Sequence, residues 1–134
     1  SMKPIQITDA VKLAIHTMVM IGATPDKRWK TQEIADSLCA SVHHLAKIHT
    51  RLGKAGLLSS TRGPSGGLSL AKDPAQIKLL DIYRIIEGEP PKATCLFSKP
   101  VCGRMKCIFG TLIGDLNSRV ISYFEENTLA DLIE

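Results

Sequence analysis

The chain has 134 residues, of which 44% are hydrophobic and 22% charged, a composition typical of an ordinary folded domain. Its length suits a single domain with a core of its own. No uncharged apolar stretch is long enough to cross a membrane, which excludes a membrane-spanning function. The absence of a recognisable signal peptide leads us to expect a cytoplasmic location, where thiols stay reduced.

The net charge of +4 is distributed unevenly along the chain. Residues 1–72 contain ten Lys and Arg against four Asp and Glu, whereas residues 73–134 contain seven against nine. A basic first half followed by an acidic remainder is typical of a protein that meets a polyanion, such as nucleic acid, on one side only. An ordinary solvated surface shows similar asymmetry, so charge alone leaves the partner open.

Three helices are predicted in the basic half, at about residues 7–21, 32–38 and 42–54, and residues 22–26 are expected to break the first helix. Each begins at a side chain that can cap a helix N-terminus: Thr8, Thr31 and Ser41. The second and third helices, joined by a tight turn, form a candidate helix-turn-helix motif. Within this region we expect His16 to be packed or half-buried and Cys39 to be a small buried residue. Trp29 is expected to anchor a strand beside the wing rather than to stack near DNA.

The third helix has two different faces. Leu45, Ile48 and Leu52 share one face, which suits packing on the rest of the domain. The opposite face carries side chains that can donate to phosphates or base edges: His43, Lys47, Thr50 and Lys54. A solvated face looks similar, so this helix alone does not establish DNA binding.

A short hairpin is predicted next, with strands at residues 57–61 and 68–70. Its tip, residues 62–67, contains three glycines and a proline, so its backbone can approach a ligand closely. Arg62 can enter a minor groove beside a helix in the major groove. The alternative, a nucleotide phosphate loop, lacks the Gly-x-x-x-x-Gly-Lys-Ser/Thr pattern and a following helix. The pattern therefore favours a wing.

The acidic half is predicted to contain a helix at residues 77–87, a long helix from about 107 to 126 and a final turn at 129–133. The long helix carries an apolar stripe that is too extended for one small domain to cover fully: Phe109, Leu112, Ile113, Leu116 and Val120. Small residues flank the stripe at four-residue spacing: Gly110, Gly114 and Ser118. This arrangement suits a dimer interface as well as internal packing.

Three cysteines, Cys95, Cys102 and Cys107, lie within thirteen residues. Thiolates bind iron–sulfur clusters and zinc, and an odd number of clustered thiols cannot pair fully within one chain. A zinc ribbon is poorly supported because there is no Cys-x-x-Cys. The same absence, with no clear base beside the sulfurs, disfavours a thiol oxidoreductase, so we do not expect an enzyme.

Several motifs together resemble the winged-helix repressors of the IscR/NsrR type, which are iron–sulfur-sensing bacterial transcription regulators. The motifs are Thr31-Gln-Glu-Ile-Ala, Leu52-Gly-Lys-Ala-Gly-Leu, Arg62-Gly-Pro-Ser-Gly-Gly, Leu80-Asp-Ile and Glu87-Gly88. The resemblance covers nearly the whole chain and implies a mainly α fold with a small β-hairpin wing. It divides the chain into a winged helix-turn-helix DNA-binding domain (2–88), a cysteine-rich cluster-binding loop (89–107) and a dimerisation helix with a C-terminal turn (108–134).

The resemblance also implies a homodimer that binds double-stranded DNA. Its DNA affinity would be set by a 2Fe–2S or 4Fe–4S cluster that senses nitric oxide, redox state or iron–sulfur status. By residue-to-residue transfer, the sulfur ligands are Cys95, Cys102 and Cys107. The run Ile7-Thr8-Asp9 resembles the nitric-oxide-sensing branch, which makes Asp9, reaching across the dimer, the candidate fourth ligand. No histidine occurs in residues 108–111, where the iron–sulfur biogenesis branch places its fourth ligand.

The expected DNA contacts come from the helix-turn-helix and the wing: Thr31, Ser41, His43, His44, Lys47, Thr50, Arg51, Arg62, Gly63, Ser65 and Gly66. Two features depart from the family pattern. The second cysteine gap has only four residues, and position 46, often glutamate in the family, is Ala46. The operator preference of known members is therefore not transferred. A cluster-free regulator with redox-active or zinc-binding cysteines remains an alternative.

Overall fold

Six α-helices and one β-hairpin form the part of the chain that the computed structural model describes, which is residues 3–97, 99, 101–103 and 106–133. In chain order the elements are α1 (Asp9–Ala23), α2 (Thr31–Leu38), α3 (Val42–Lys54), β1 (Leu58–Thr61), β2 (Gly67–Leu70), α4 (Leu79–Glu87), α5 (Leu112–Glu126) and α6 (Leu129–Leu132). A short 3-10 turn, Pro74–Gln76, precedes α4. The predicted fold class is confirmed. Within the described ranges, no helix is long and apolar enough to cross a membrane.

The core is built around α1, which packs against α3, α4, α6 and strand β2. Its buried side chains recur at helical spacing: Val11, Leu13, Ala14, Thr17, Met18 and Ile21. Phe124 of α5 and Leu129 of α6 belong to the same buried cluster, so the C-terminal helices share the core of the winged-helix part. Burying one such large apolar side chain stabilises a fold by about 1.5–3 kcal/mol.

Two of the three N-caps predicted in the basic half are confirmed. Thr8 accepts a hydrogen bond from the Val11 N–H and Ser41 from the His44 N–H, as predicted. The prediction for Thr31 was one residue off, because Thr31 is the first residue of α2 and Lys30 holds the N-cap position. There the backbone N–H of Lys30 donates to the Glu33 carboxylate at 2.8 Å, which satisfies the helix start in place of a threonine hydroxyl.

The hairpin pairs β1 and β2 antiparallel, with Leu58 opposite Leu70. The backbone at Trp29 pairs with strand β2 as a third segment of this small sheet, since the Leu68 N–H donates to the Trp29 carbonyl at 2.7 Å. The prediction that Trp29 anchors a strand is confirmed. Gly66 is required at the tip because a Cβ there would lie 2.2 Å from the Thr61 carbonyl oxygen. The tip therefore has no room for a side chain at this position.

The helices of the acidic half begin later than predicted. Residues 108–111 form a turn instead of the first turn of α5, because Gly110 has a φ of +57° and its N–H donates to the Cys107 carbonyl. Likewise α4 begins at Leu79, because the Ile77 carbonyl accepts from the Leu129 N–H and keeps that backbone extended. α5 packs on α4, where Tyr83 and Phe124 meet edge to face at 6.2 Å between ring centroids.

Candidate DNA interface and cysteine segment

The outer face of α3 is polar and solvent-exposed, as the sequence predicted. His43, His44, Lys47 and Thr50 lie on the outer side of the helix, whereas Leu45, Ile48 and Leu52 are buried against the domain. Since α3 is the second helix of the helix-turn-helix, its outer face is the surface that can enter a major groove. The buried residues hold that face outward.

His49, which the sequence interpretation missed, fixes α3 to its two neighbouring helices. It is only 6% exposed. Its Nε2 lies 3.2 Å from the hydroxyl of Thr17 on α1, and its Nδ1 lies 3.2 Å from the hydroxyl of Thr31 on α2. Burial lowers the pKa of His49 to about 4, so the ring is neutral at physiological pH. Its sequence signal was its position four residues after Leu45, on the buried face.

Four residues predicted to contact DNA have partners inside the protein. Thr31 pairs with His49, Ser41 caps α3, and Thr50 donates to the Ala46 carbonyl at 2.9 Å. Arg51 reaches α4, where its guanidinium donates to the Ile85 carbonyl at 2.7 Å. These side chains position the helix-turn-helix, and a DNA contact by any of them stays a prediction.

The tip of the wing lies beside the start of α2. Arg62, Gly63 and Ser65 are exposed, while Gly66 is buried in the turn. The Lys30 ammonium donates to the Gly63 carbonyl at 3.0 Å, which fastens the tip to the helix-turn-helix. The candidate DNA-contacting residues of α3 and the wing are therefore parts of one connected unit.

The cysteine segment lies between α4 and α5, and its positions 98, 100, 104 and 105 are outside the described residues. Cys95 and Cys102 are half-buried and Cys107 is exposed, and all three are free thiols. The Cys95 sulfur accepts the N–H of Phe97 at 3.4 Å.

The fourth cysteine, Cys39, is exposed, so the prediction of a buried residue was wrong. Its left-handed backbone (φ +53°) ends α2 at the surface.

The donor chemistry of this segment fits an iron–sulfur cluster, since three free thiols follow one another closely and one already accepts a backbone N–H. Among the residues that the structure describes, no three His, Cys, Asp or Glu side chains lie close enough to share a single metal ion.

Asp9, the predicted fourth ligand, lies on the surface at the start of α1. Its carboxylate pairs with the Lys12 ammonium at 2.8 Å. The hydrogen bond and charge of Lys12 hold the pKa of Asp9 below its usual value, so the carboxylate is ionised.

His16, on the same helix, is exposed, so the prediction that it packs into the domain was wrong. Its Nδ1 lies 2.7 Å from the Lys12 carbonyl.

α5 presents an uncovered apolar face. Leu112, Leu116 and Tyr123 are 49%, 52% and 43% exposed, and Ile7 of the N-terminal arm, residues 3–8, is 59% exposed. The predicted stripe is interrupted at Ile113, which is buried. A contiguous exposed apolar surface on a helix is typical of a protein–protein contact.

Comparisons with known proteins give one family. A sequence profile of the Rrf2 family, described as an iron-dependent transcriptional regulator, matches residues 7–134. The HTH-type transcriptional regulator NsrR of Geobacillus kaustophilus is 33% identical over 138 residues, covering 96% of this chain and 90% of that protein. IscR of Yersinia pestis is 31% identical over 127 residues, covering 95% and 73%.

A solved structure has the same fold. CymR (YrzC), the global cysteine regulator of B. subtilis, matches with a TM-score of 0.76 and covers 96% of both chains, at 24% sequence identity. At that identity the likeness shows the fold alone.

Proposed function

The chain belongs to the Rrf2 family of transcriptional regulators, and we propose that it acts as a homodimer whose affinity for duplex DNA is set by an iron–sulfur cluster on its cysteine segment. The family membership confirms the resemblance found in the motifs and establishes a DNA-binding regulator and not an enzyme. The cluster, the signal and the dimer are the proposed part.

The observation that carries the DNA-reading mode is the exposed polar face of α3 beside a wing that Lys30 fastens in place. His43 and Lys47 lie in the major groove, and Arg62 enters the adjacent minor groove. The basic first half of the chain supplies the field that draws the protein to phosphate. The buried His49 holds the reading helix rigidly to α1 and α2.

The dimer is supported by the uncovered apolar face of α5. Leu112, Leu116 and Tyr123 of one protomer pack against the same face of its partner, since a two-fold contact uses the same surface twice. Ile7 lies on the same surface. Together with Val120 and Tyr123 it lines a groove of about 280 Å³. The interface therefore includes the arm that leads to Asp9.

Cys95, Cys102 and Cys107 would hold the cluster, with Asp9 of the partner subunit as the fourth ligand. A bound cluster supplies iron that reacts with nitric oxide or oxygen. The Asp9 carboxylate would be a harder donor to iron than a thiolate and the easier ligand to displace. Lys12, whose ammonium lies 2.8 Å from that carboxylate, would hold it when it is not a ligand. Because Asp9 begins α1, and α1 packs on α3, a change at Asp9 would act on the DNA-reading helix.

The test is DNA binding by anaerobically purified protein, with and without reconstitution by iron and sulfide, against duplexes selected from a random pool. We expect affinity that falls steeply with salt and differs between the two forms. No duplex bound by either form at low salt would contradict the DNA-reading mode described above. A protein that binds duplex DNA but takes up no iron and sulfide would leave the regulator standing and refute its cluster.

The alternative is a cluster-free regulator that uses its cysteines for zinc or for redox chemistry. It is favoured by the second cysteine gap, which has only four residues and departs from the family pattern. Metal analysis of the anaerobic protein separates the two, because an iron–sulfur protein is coloured whereas zinc and bare thiols are not. Iron and sulfide support our proposal, and zinc supports the alternative.

A further inference from the structure

A buried asparagine on α5 joins two distant parts of the chain. Asn117 is 4% exposed and lies in the first half of α5. Its Oδ1 accepts the backbone N–H of Ile5 at 2.6 Å, and its Nδ2 donates to the Pro91 carbonyl at 2.8 Å. Both hydrogen-bonding groups of the amide are therefore used, and each partner belongs to a different backbone segment.

Each of those segments leads to a proposed ligand of the sensing site. Ile5 is four residues before Asp9, and Pro91 is four residues before Cys95. The segment after Pro91 stays on α5, where Ala93 is 2% exposed and Thr94 packs over Gly114. A Cβ added at Gly114 would lie 3.4 Å from the Thr94 methyl, which is an ordinary van der Waals distance, so Thr94 packs directly on the helix at this position.

The arm on the other side of Asn117 leads into the DNA-reading unit. Ile5 is buried, and three residues later Thr8 caps α1 while its hydroxyl donates to Glu87 of α4 at 2.8 Å. α1 in turn packs on α3, which carries the exposed polar face. A continuous set of contacts thus runs from the cysteine segment through Asn117 to the recognition helix.

We propose that Asn117 is a positioning residue that couples rearrangement of the cysteine segment to the N-terminal arm, and through α1 to DNA affinity. The inference rests on the proposed function, because it needs the cysteine segment to control DNA binding. Its physical basis is the shared amide. When the segment moves and Pro91 leaves, the side chain loses one of its two fixed partners, and the Ile5 hydrogen bond weakens. A buried group left without a partner is unfavourable, so the arm shifts with the segment.

The test uses metal-free full-length protein in which Cys39→Ser leaves only the three segment thiols to react. N-ethylmaleimide on those thiols displaces the segment, and NMR amide exchange at Ile5 reports the arm. We expect labelling to speed Ile5 exchange about fivefold, the factor that corresponds to one net hydrogen bond of about 1 kcal/mol. The Leu129 amide, which donates to Ile77 in the core, should keep its exchange rate and so exclude a general loss of stability.

Asn117→Asp is the decisive variant, measured at a pH where NMR shows its carboxyl to be ionised, because an ionised carboxylate still accepts from Ile5 but has no N–H for Pro91. Its Ile5 amide should stay protected, yet labelling should change neither that protection nor DNA affinity. Asn117→Leu, which removes both bonds, should show fast Ile5 exchange before and after labelling. The matched control is Asn127→Asp at the end of the same helix, because the Asn127 amide donates to the Tyr123 carbonyl of that helix. It should respond like the parent.

Two results overturn the coupling. One is an Ile5 amide exchange rate in the parent protein that labelling does not change. The other is an Asn117→Asp protein in which labelling still changes Ile5 exchange and DNA affinity. Failure of the proposed function is visible separately, as absence of iron and sulfide after reconstitution, because the labelling experiment contains no metal.

Discussion

Replacing His49 by Gln should remove a specific part of the acid sensitivity of the fold. In the folded protein burial lowers the pKa of His49 to about 4, whereas the ring has a value of about 6.5 when exposed. Between those values the unfolded chain binds the extra proton and the folded chain does not. The free energy of unfolding therefore falls as the pH decreases from 6.5 towards 4, and this contribution is fully retained above 6.5.

The magnitude follows from the size of the shift. Each pKa unit corresponds to about 1.4 kcal/mol, so the full shift of His49 represents on the order of 3 kcal/mol, and between pH 7.5 and 4.5 it represents about 2–3 kcal/mol. Protonation also disrupts the hydrogen bonds. A neutral ring donates through one nitrogen and accepts through the other, whereas a protonated ring needs both Thr17 and Thr31 to accept.

The assay is urea unfolding of the parent and His49→Gln proteins at pH 7.5 and 4.5, at one fixed protomer concentration because subunit association would contribute to stability. At pH 7.5 the variant should be less stable by about 1–2 kcal/mol, since the threonine hydroxyls lose well-placed partners. At pH 4.5 that disadvantage should disappear or reverse. Carboxylates titrate in both proteins and cancel in the comparison.

The control is His16→Gln, because His16 is exposed and its ring contacts the Lys12 carbonyl of its own helix. Its unfolding curves should keep the pH dependence of the parent. Parallel pH dependence in the parent and His49→Gln proteins would refute the argument that a buried neutral ring holds α3 in place.

Three further predictions concern binding and assembly. Lys47→Ala should weaken binding to all duplexes and reduce the slope of log affinity against log salt by about one. Lys92→Ala, an exposed lysine between α4 and α5, should leave both unchanged, and equal slopes for Lys47→Ala and the parent would remove Lys47 from the interface. Leu116→Asp should convert the dimer to a monomer in sedimentation at micromolar concentration, and a parent protein that already sediments as a monomer would contradict the α5 interface. Asp9→Ala should still take up iron but respond abnormally to nitric oxide, and an unchanged spectrum and response would exclude it as the fourth ligand.

Much of the DNA-binding unit could be predicted because its signals are local. Capping hydroxyls at Thr8 and Ser41 mark the starts of α1 and α3 correctly, although α1 continues to Ala23, past the break expected at residue 22. The spacing of apolar residues on α3 identifies its buried face. The glycines of the wing are equally local signals, since Gly66 has no room for a side chain. The family motifs lie in this same region, which explains why the resemblance could be recognised.

What the sequence did not reveal depends on distant partners. The two threonines of His49 come from α1 and α2, and the partners of Asn117 are 112 and 26 residues away along the chain. The late start of α5 is different, because it follows from a left-handed backbone at Gly110 inside an apolar stripe that looks helical. Cysteine spacing likewise does not tell whether three thiols meet in space.

Control of DNA affinity by the cysteine segment, through a bound cluster, is the central proposal. The most direct measurement determines iron, sulfide and duplex affinity on the same anaerobically reconstituted sample, for the parent protein and for Cys102→Ala, with Cys39→Ala as the matched cysteine control. We expect iron and sulfide in the parent and in Cys39→Ala. The DNA affinity of these cluster-containing proteins should differ at least about fivefold from that of their metal-free forms. This factor corresponds to about 1 kcal/mol, at the lower end of typical coupling free energies. Cys102→Ala should hold no cluster and bind DNA as the metal-free parent does. Identical DNA affinity with and without bound iron and sulfide would contradict control by the cluster.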